Sequence, residues 1–422
     1  MEAGAAETRR TIEAVWRIES ARIIAVVARM VRDVGVAEEL AQDALVIALE
    51  KWPVAGIPEK PGAWLMATAK HRALDLLRRN KRLERKHEEL GRTLEQEETA
   101  MAEYDSALDE DIEDDILRLM FTACHPVLSR EARVALTLRL LGGLTTGEIA
   151  RAFLVSEPTI GQRIVRARRT LTEARVPFEV PRGAERAPRL SSVLEVIYLV
   201  FNEGYSATAG EDWVRPALCE DALRLGRILA GLAPGEPEVH GLVALMEIQA
   251  SRLRSRVGPA GEPVLLLEQD RGRWDRLLIG RGLAALARAE SLGALGPYAL
   301  QAAIAACHAR AHTAAETDWR RIAALYDALA QLAPSPVVEL NRAVALGMAF
   351  GPAAGLQVVD ELADEPSLRG YHHLPSVRGD LLAKLGRREE ARAEFARASS
   401  LTQNARERAL LLSRAAACRA DR

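Results

Sequence analysis

The chain has 422 residues, too many for one compact core, so two or three domains are expected. Apolar residues make up 49% and charged residues 27%, but the net charge is only −2, so any nucleic-acid surface has to be local rather than global. The four cysteines (Cys124, Cys219, Cys307, Cys418) lie far apart with no Cys-x-x-Cys pair, which argues against a disulfide framework or a thiolate zinc site and for reduced thiols.

MEAGAAETRR at the start lacks the apolar core of a signal peptide, and no apolar run approaches a membrane span. A cytoplasmic protein without a membrane partner is expected. Ile12, Val15, Trp16, Ile23, Val26, Val27 and Met30 repeat at helical spacing. Asp33-Val34-Gly35 breaks the pattern, and a second helix is predicted from about Ala37, with Leu40, Ala44, Ile47 and Leu49 apolar and Glu38 and Glu39 in its first turn. Three prolines and two glycines make Trp52 to Gly62 a predicted loop.

A basic helix follows, AWLMATAKHRALDLLRRNKRLERK. Lys70 to Lys86 holds eight lysines or arginines against Asp75 and Glu84, while Trp64, Leu65, Ala69, Leu76 and Leu77 supply a buried face. Cations beside aromatics suit single-stranded or melting nucleic acid, through phosphate charge and base stacking; a solvated basic helix is the plainer alternative. From Glu88 to Asp115 the charge inverts, ending in LDEDIEDD with few large apolar residues, so a flexible linker is predicted over 88–112.

Two further helices, the second capped by Ser129, lead through Gly142-Gly143 into LTTGEIARAFLVSEPTIGQRIVRARRTL. Ile149, Ala150 and Phe153 line one face of a short helix; Leu154-Val155 turns the chain; Ser156 caps the next helix with Pro158 in its first turn. Ile160, Ile164 and Leu171 point inward, while Thr159, Gln162, Arg163, Arg166 and Arg169 fall on other faces. This is a helix-turn-helix, whose second helix enters a major groove N-terminus first.

Taken together and in this order, these stretches resemble the bacterial RNA polymerase sigma factors of the extracytoplasmic-function (ECF) type. AEELAQDALVIAL is similar to the segment that docks on the clamp helices of the polymerase's largest subunit, PGAWLMATAKHRALDLLRR to the promoter-melting helix, and the helix-turn-helix to the −35 reader. The resemblance implies that Glu38, Glu39, Leu40, Gln42 and Asp43 face core polymerase. It implies that Trp64, Lys70, His71, Arg72, Arg78 and Arg79 hold the −10 element, with a flipped base in the loop Trp52 to Pro61. It also implies that Thr159, Gln162, Arg163 and Arg166 read or clamp the −35 element, with Arg168 and Arg169 on phosphates and the polymerase flap as a further partner. His71 stands where many members carry Asn, and Leu154 where the turn often has Gly.

Members of that family are usually under half this length. Val176 to Leu190 reads as a boundary linker, and 191–422 as an α-helical domain. Gly379, Leu382, Gly386, Ala391, Phe395 and Ala398 have the spacing of a tetratricopeptide unit; Ala343, Leu346, Gly355 and Val359 form a weaker copy and Tyr326 fits a third. The layout resembles the ECF subgroup with a tetratricopeptide-like C-terminal extension, in which the extension is thought to control activity. Its partner is a peptide, a small molecule or the sigma domains themselves.

The fold expected is thus all-α: two small helical sigma domains, at 10–87 and 113–175, followed by a helical-repeat domain. FNEGYSAT (201 to 208) and DRGRWD (270 to 275) read as caps and packing, and Cys124-His125-Pro126 and His372-His373 lack partner ligands at metal spacing in the sequence. With no nucleophile elbow, phosphate-binding glycine loop or paired carboxylates, no enzyme activity, cofactor or metal is expected. The alternative function is a helix-turn-helix transcriptional regulator with a helical sensor domain, which leaves residues 12 to 86 unused.

Overall fold

A computed structural model of the chain describes residues 2–87 and 112–419, most of them in α-helices. They divide into two compact units, Met1–Ile197 and Tyr198–Arg422. The acidic stretch expected to form a linker lies outside the described residues as far as 111.

The first unit begins with α1 (Glu2–Val31), α2 (Val34–Ala55) and α3 (Pro61–His87), which pack on one another. Ile12, Ile23, Ile24, Val26 and Val27 of α1 are fully buried. The inward stripe of α2 is Ala37, Ala41, Ala44, Ala48 and Trp52, and that of α3 is Leu65, Ala69 and Ala73. Both recur at three- or four-residue spacing, and the alanines let the helix axes approach closely. The start of α2 differs from expectation. Asp33-Val34-Gly35 begins the helix rather than preceding it, because the Asp33 carboxylate accepts the Val36 N–H at 3.0 Å as an N-cap. The end differs too: α2 runs through Pro53 and stops at Gly56, whose N–H reaches the Trp52 carbonyl and whose φ is +88°. A proline so near the end forfeits a single intrahelical bond, and the buried Trp52 anchors the turn.

Next come α4 (Ile112–Ala123), α5 (Arg130–Leu140), α6 (Thr146–Ala152) and α7 (Glu157–Glu173). Ser129 caps α5, accepting from the Ala132 N–H. Leu119, Met120, Leu136, Leu138, Leu140, Ile149 and Ile160 form their shared core. The segment expected to be a linker up to Leu190 already turns helical at α8 (Arg186–Tyr205). Pro188 is the third residue there, where no helical N–H is needed. The start of α8 is tied down by the Ser192 hydroxyl donating to the Cys124 carbonyl at 2.6 Å and Arg189 donating to the Phe121 carbonyl at 2.9 Å.

The two helix groups of this unit meet where α1 packs on α4, and through charges. Glu38 of α2, 1% exposed, lies between Arg139 of α5, at 2.7 Å, and Arg168 of α7. Asp115 of α4 is fully buried, with Arg118 at 2.7 Å and Arg29 of α1 at 3.2 Å. Thr172 of α7 donates to the Asp33 carboxylate at 3.0 Å.

In the second unit, α9 (Pro216–Leu232), α10 (Pro237–Ala250), α11 (Arg276–Leu292), α12 (Pro297–Arg310), α13 (Trp319–Leu332), α14 (Pro336–Phe350), α15 (Pro352–Glu361), α16 (His373–Lys384), α17 (Arg388–Leu401) and α18 (Ala405–Ala417) pack largely on their chain neighbours. That is the geometry of helical repeats, which bury their faces only by stacking. The repeat positions Ala343, Val359, Leu382, Ala391, Phe395 and Ala398 all lie in one core cluster. A clasp joins the two ends of the unit. The two-residue strands β1 (Ala209–Gly210) and β2 (Gln403–Asn404) pair in parallel, and the Asn404 amide donates to the carbonyls of Ala207 at 3.1 Å and Asp212 at 2.8 Å.

Two stability predictions follow from this packing. Glu38→Ala strands two guanidinium groups that keep about a fifth of their surface in solvent, so the loss is expected near the low end for a broken buried pair, on the order of 3 kcal/mol in denaturant unfolding. At Gly379 an added Cβ would sit 2.9 Å from the ring of the buried Phe395. Gly379→Ala is therefore expected to cost about 1–3 kcal/mol by overpacking, whereas Gly370→Ala, with open space around it, should leave the unfolding midpoint in place.

Candidate nucleic-acid and polymerase interface

The helix-turn-helix is built by its caps. Thr145 and Glu148 form a reciprocal capping box at the start of α6, the Glu148 carboxylate accepting the Thr145 N–H at 2.7 Å. Burial pushes the Glu148 carboxyl up, but the two hydrogen bonds from Thr145, with Arg17 and Arg151 nearby, outweigh it and hold the group below its usual range. Leu154 makes the turn at φ +51°, a left-handed conformation that glycine adopts more readily. Ser156 then accepts the Thr159 N–H and starts α7, with Pro158 in the first turn.

Ile160, Ile164, Ala167 and Leu171 seat α7 against α5 and α6. Thr159, Gln162, Arg166 and Arg169 are exposed on the opposite side, and Arg163 is half-buried. Arg169 pairs with Glu173 at 2.6 Å on the surface. Arg168 alone of the six residues assigned to the −35 element points back into the unit, onto Glu38.

On α3, with Leu65, Ala69 and Ala73 inward, His71, Arg72, Arg78 and Arg79 are exposed and share an arc of the helix with Trp64. Asp75 lies within the same arc, with Arg78 at 3.9 Å, so the face is cationic but not uniformly so. Lys70 sits half-buried at its side. Trp64 is half-buried and meets the buried Trp52 edge-on, ring centroids 5.4 Å apart. That contact, unforeseen from the sequence, ties α3 to the end of α2.

The five residues assigned to polymerase docking divide. Glu39 and Asp43 are exposed and continue through Val46 and Glu50 as one outward stripe of α2. Leu40 and Gln42 are half-buried at its flanks, and the Gln42 amide donates to Glu38. Glu38 faces the other way, into the unit. Its two arginine partners follow it by 101 and 130 residues, so no local pattern signals its burial.

Several other chemistry-bearing residues serve structure. Cys124 is buried against the Thr137 hydroxyl at 3.3 Å, and burial, only partly offset by that contact, pushes its thiol up to about 11. In the second unit Arg271 of DRGRWD donates to the carbonyls of His308 and Ala311 and to the Thr317 hydroxyl, and Asp275 caps α11. Glu203 of FNEGYSAT pairs with Arg215 and Thr208. Among the described residues no helix is long and apolar enough to cross a membrane.

Comparison with known proteins fits this arrangement. The family model for sigma-70 region 2 matches residues 17–83, and that for sigma-70 region 4 matches residues 118–171. Residues 189–290 match a family described only as being of unknown function, DUF6596. The uncharacterized protein R00370 of Rhizobium meliloti is 46% identical over 385 residues, spanning 91% of this chain and 90% of its own. The probable ECF RNA polymerase sigma factor SigI of Mycobacterium tuberculosis is 27% identical over 175 residues, 42% of this chain and 59% of SigI. No solved structure matches the chain. The paired region 2 and region 4 folds, their order and the helical segment beyond them place this chain in the sigma-70 family, as an ECF-type sigma factor with an α-helical C-terminal extension.

Proposed function

We propose that this sigma factor binds core RNA polymerase through the outward stripe of α2, reads two promoter elements with α3 and α7, and is controlled by its C-terminal helical unit. The observation that carries the reading is the pair of exposed basic faces on α3 and α7, each backed by a fully apolar inward stripe. In this reading Glu39, Leu40, Gln42 and Asp43 meet the clamp helices of the largest subunit, and the helices α4 to α7 meet the flap. Trp64, Lys70, His71, Arg72, Arg78 and Arg79 hold melted −10 DNA in the cytoplasm, where the polymerase works. Thr159, Gln162, Arg163 and Arg166 meet the −35 bases, Arg favouring guanine and Gln adenine, with Arg169 on phosphate. Sigma factors are not enzymes; here binding energy offsets base unstacking, which costs a few kcal/mol.

Glu38 and Arg168 have two claims on them. Each was assigned outward by family resemblance, yet the two pair with each other. For both to serve polymerase and promoter, the junction between the two sigma regions has to part. The described arrangement is then a resting form, and the C-terminal unit is the element that biases its release, through a peptide, a small molecule or the sigma regions themselves.

Two measurements test this. Arg163→Ala and Arg166→Ala should each weaken promoter binding by about 1–3 kcal/mol where the side chain is bidentate to a base, with the loss confined to one promoter position, or uniformly across promoter variants where it meets only phosphate. An unchanged affinity for both variants rejects α7 as the reader. In run-off transcription with purified core polymerase, residues 1–175 and the full chain should give different yields on one promoter. Equal yields reject control by the C-terminal unit, and absence of core binding by the full chain returns the choice to a helix-turn-helix regulator.

A further inference from the structure

At the far end of the repeat stack, His372 and His373 stand at the start of α16 and Glu407 stands in the first turn of α18. One potential ligand atom from each lies within 4.8 Å of the other two. Glu407 is buried, and its position is over-determined. Asn404 caps α18 by accepting the N–H groups of Arg406 and Glu407, and the Thr402 hydroxyl donates to the Glu407 carboxylate at 2.6 Å. The two imidazole rings sit 4.0 Å apart, tilted by 44°, and the Tyr371 ring closes against His373 edge-on at 5.0 Å.

The contacts go beyond a simple ion pair. Nε2 of His372 lies 2.8 Å from Oε2 of Glu407, an ion pair when the imidazole is protonated. An ion pair needs only one imidazole, whereas here a second stands with its donor atom within 4.8 Å of the same carboxylate. Two imidazoles and a carboxylate whose other contact is a hydroxyl donor form the donor set of a divalent transition ion, with the hydroxyl orienting the carboxylate from outside. No thiolate belongs to the cluster, which disfavours soft ions such as Cu(I).

We propose that His372, His373 and Glu407 bind one divalent ion of the zinc class, leaving its remaining positions to water or an external ligand. Tetrahedral zinc with ligands at ~2.0–2.1 Å holds its donors roughly 3.3 Å apart. The three donor atoms, all within 4.8 Å of one another, stand close to that spacing. The ion then pins the first turn of α18 to the start of α16. Residues 402–407 also carry the clasp to 207–212, so the metal tightens the contact that joins the two ends of the second unit.

The test uses the full-length protein, stripped with a chelator and titrated with Zn2+ by calorimetry and with Co2+ by visible absorption. One Zn2+ per chain, a Co2+ spectrum of four- or five-coordinate intensity and a raised midpoint of thermal unfolding are expected. Glu407→Gln, which keeps a partner for Thr402, and His373→Asn should each weaken Zn2+ binding by more than the roughly 10–100-fold that loss of an outer hydrogen-bond partner costs, with helical circular dichroism retained. A stripped wild-type protein that binds neither ion overturns the site. So does undiminished binding by a Glu407→Gln/His373→Asn double variant. Neither outcome bears on promoter recognition, which the transcription assay reads separately.

Discussion

A carboxylate taken out of water must be compensated, and Glu38 is compensated twice. Arg139 and Arg168 reach it from two helices of the region 4 fold while its own helix belongs to region 2. Asp115 repeats the arrangement with Arg29 and Arg118. The boundary between the two folds is therefore held in part by charge, beside the packing of α1 on α4. Such a boundary differs from a core. Separating an ion pair into water returns the desolvation energy of both partners, so the net cost is small, whereas removing one partner leaves the other buried and uncompensated. The charged contacts are at once sensitive to mutation and easy to reopen, which hydrophobic contacts of the same extent would not be.

The same arrangement explains which parts of the site were legible in the sequence. Local signals were read correctly where the structure is local: Ser129 and Ser156 as caps, Leu154-Val155 as the turn, Ile160, Ile164 and Leu171 as the inward stripe. The ends of α2 were misread because Gly35 and Pro53 outweighed what decided the matter, the carboxylate of Asp33 and the burial of Trp52. The burial of Glu38 is hidden from the sequence for a different reason. In a first turn beside Glu39 it looks like a dipole-complementing surface residue, and only residues more than a hundred positions away make it otherwise. Glu407 was passed over on the same grounds, since the sequence places it 34 residues from the histidine pair.

The second unit shows how an alanine-rich stack specifies itself with few large side chains. Its middle is organised by cations against aromatic faces. Arg256 lies 3.7 Å from the Tyr205 ring centre, and Arg252 lies between Tyr205 and Trp274. Burial, reinforced by Arg252 and Arg271, pushes His308 down to about 3, so it stays neutral through the physiological range. Guanidinium groups are weakly hydrated and stack on rings, which lets them fill space that an apolar side chain would otherwise take. Motif-like runs such as DRGRWD are the visible trace of that packing.

The parallel pairing of Ala209–Gly210 with Gln403–Asn404 has a consequence for how the chain is made. Helices that stack on their sequence neighbours can form in order as they emerge from the ribosome, since each needs only the one before it. The pairing is the exception, because it spans nearly two hundred residues. The carbonyls of Ala207 and Asp212 must wait for the Asn404 amide until residue 404 has been made. The sigma regions, complete at about residue 175, spend roughly 10–45 s attached to an extension that is not yet closed, at a typical ~5–20 residues per second.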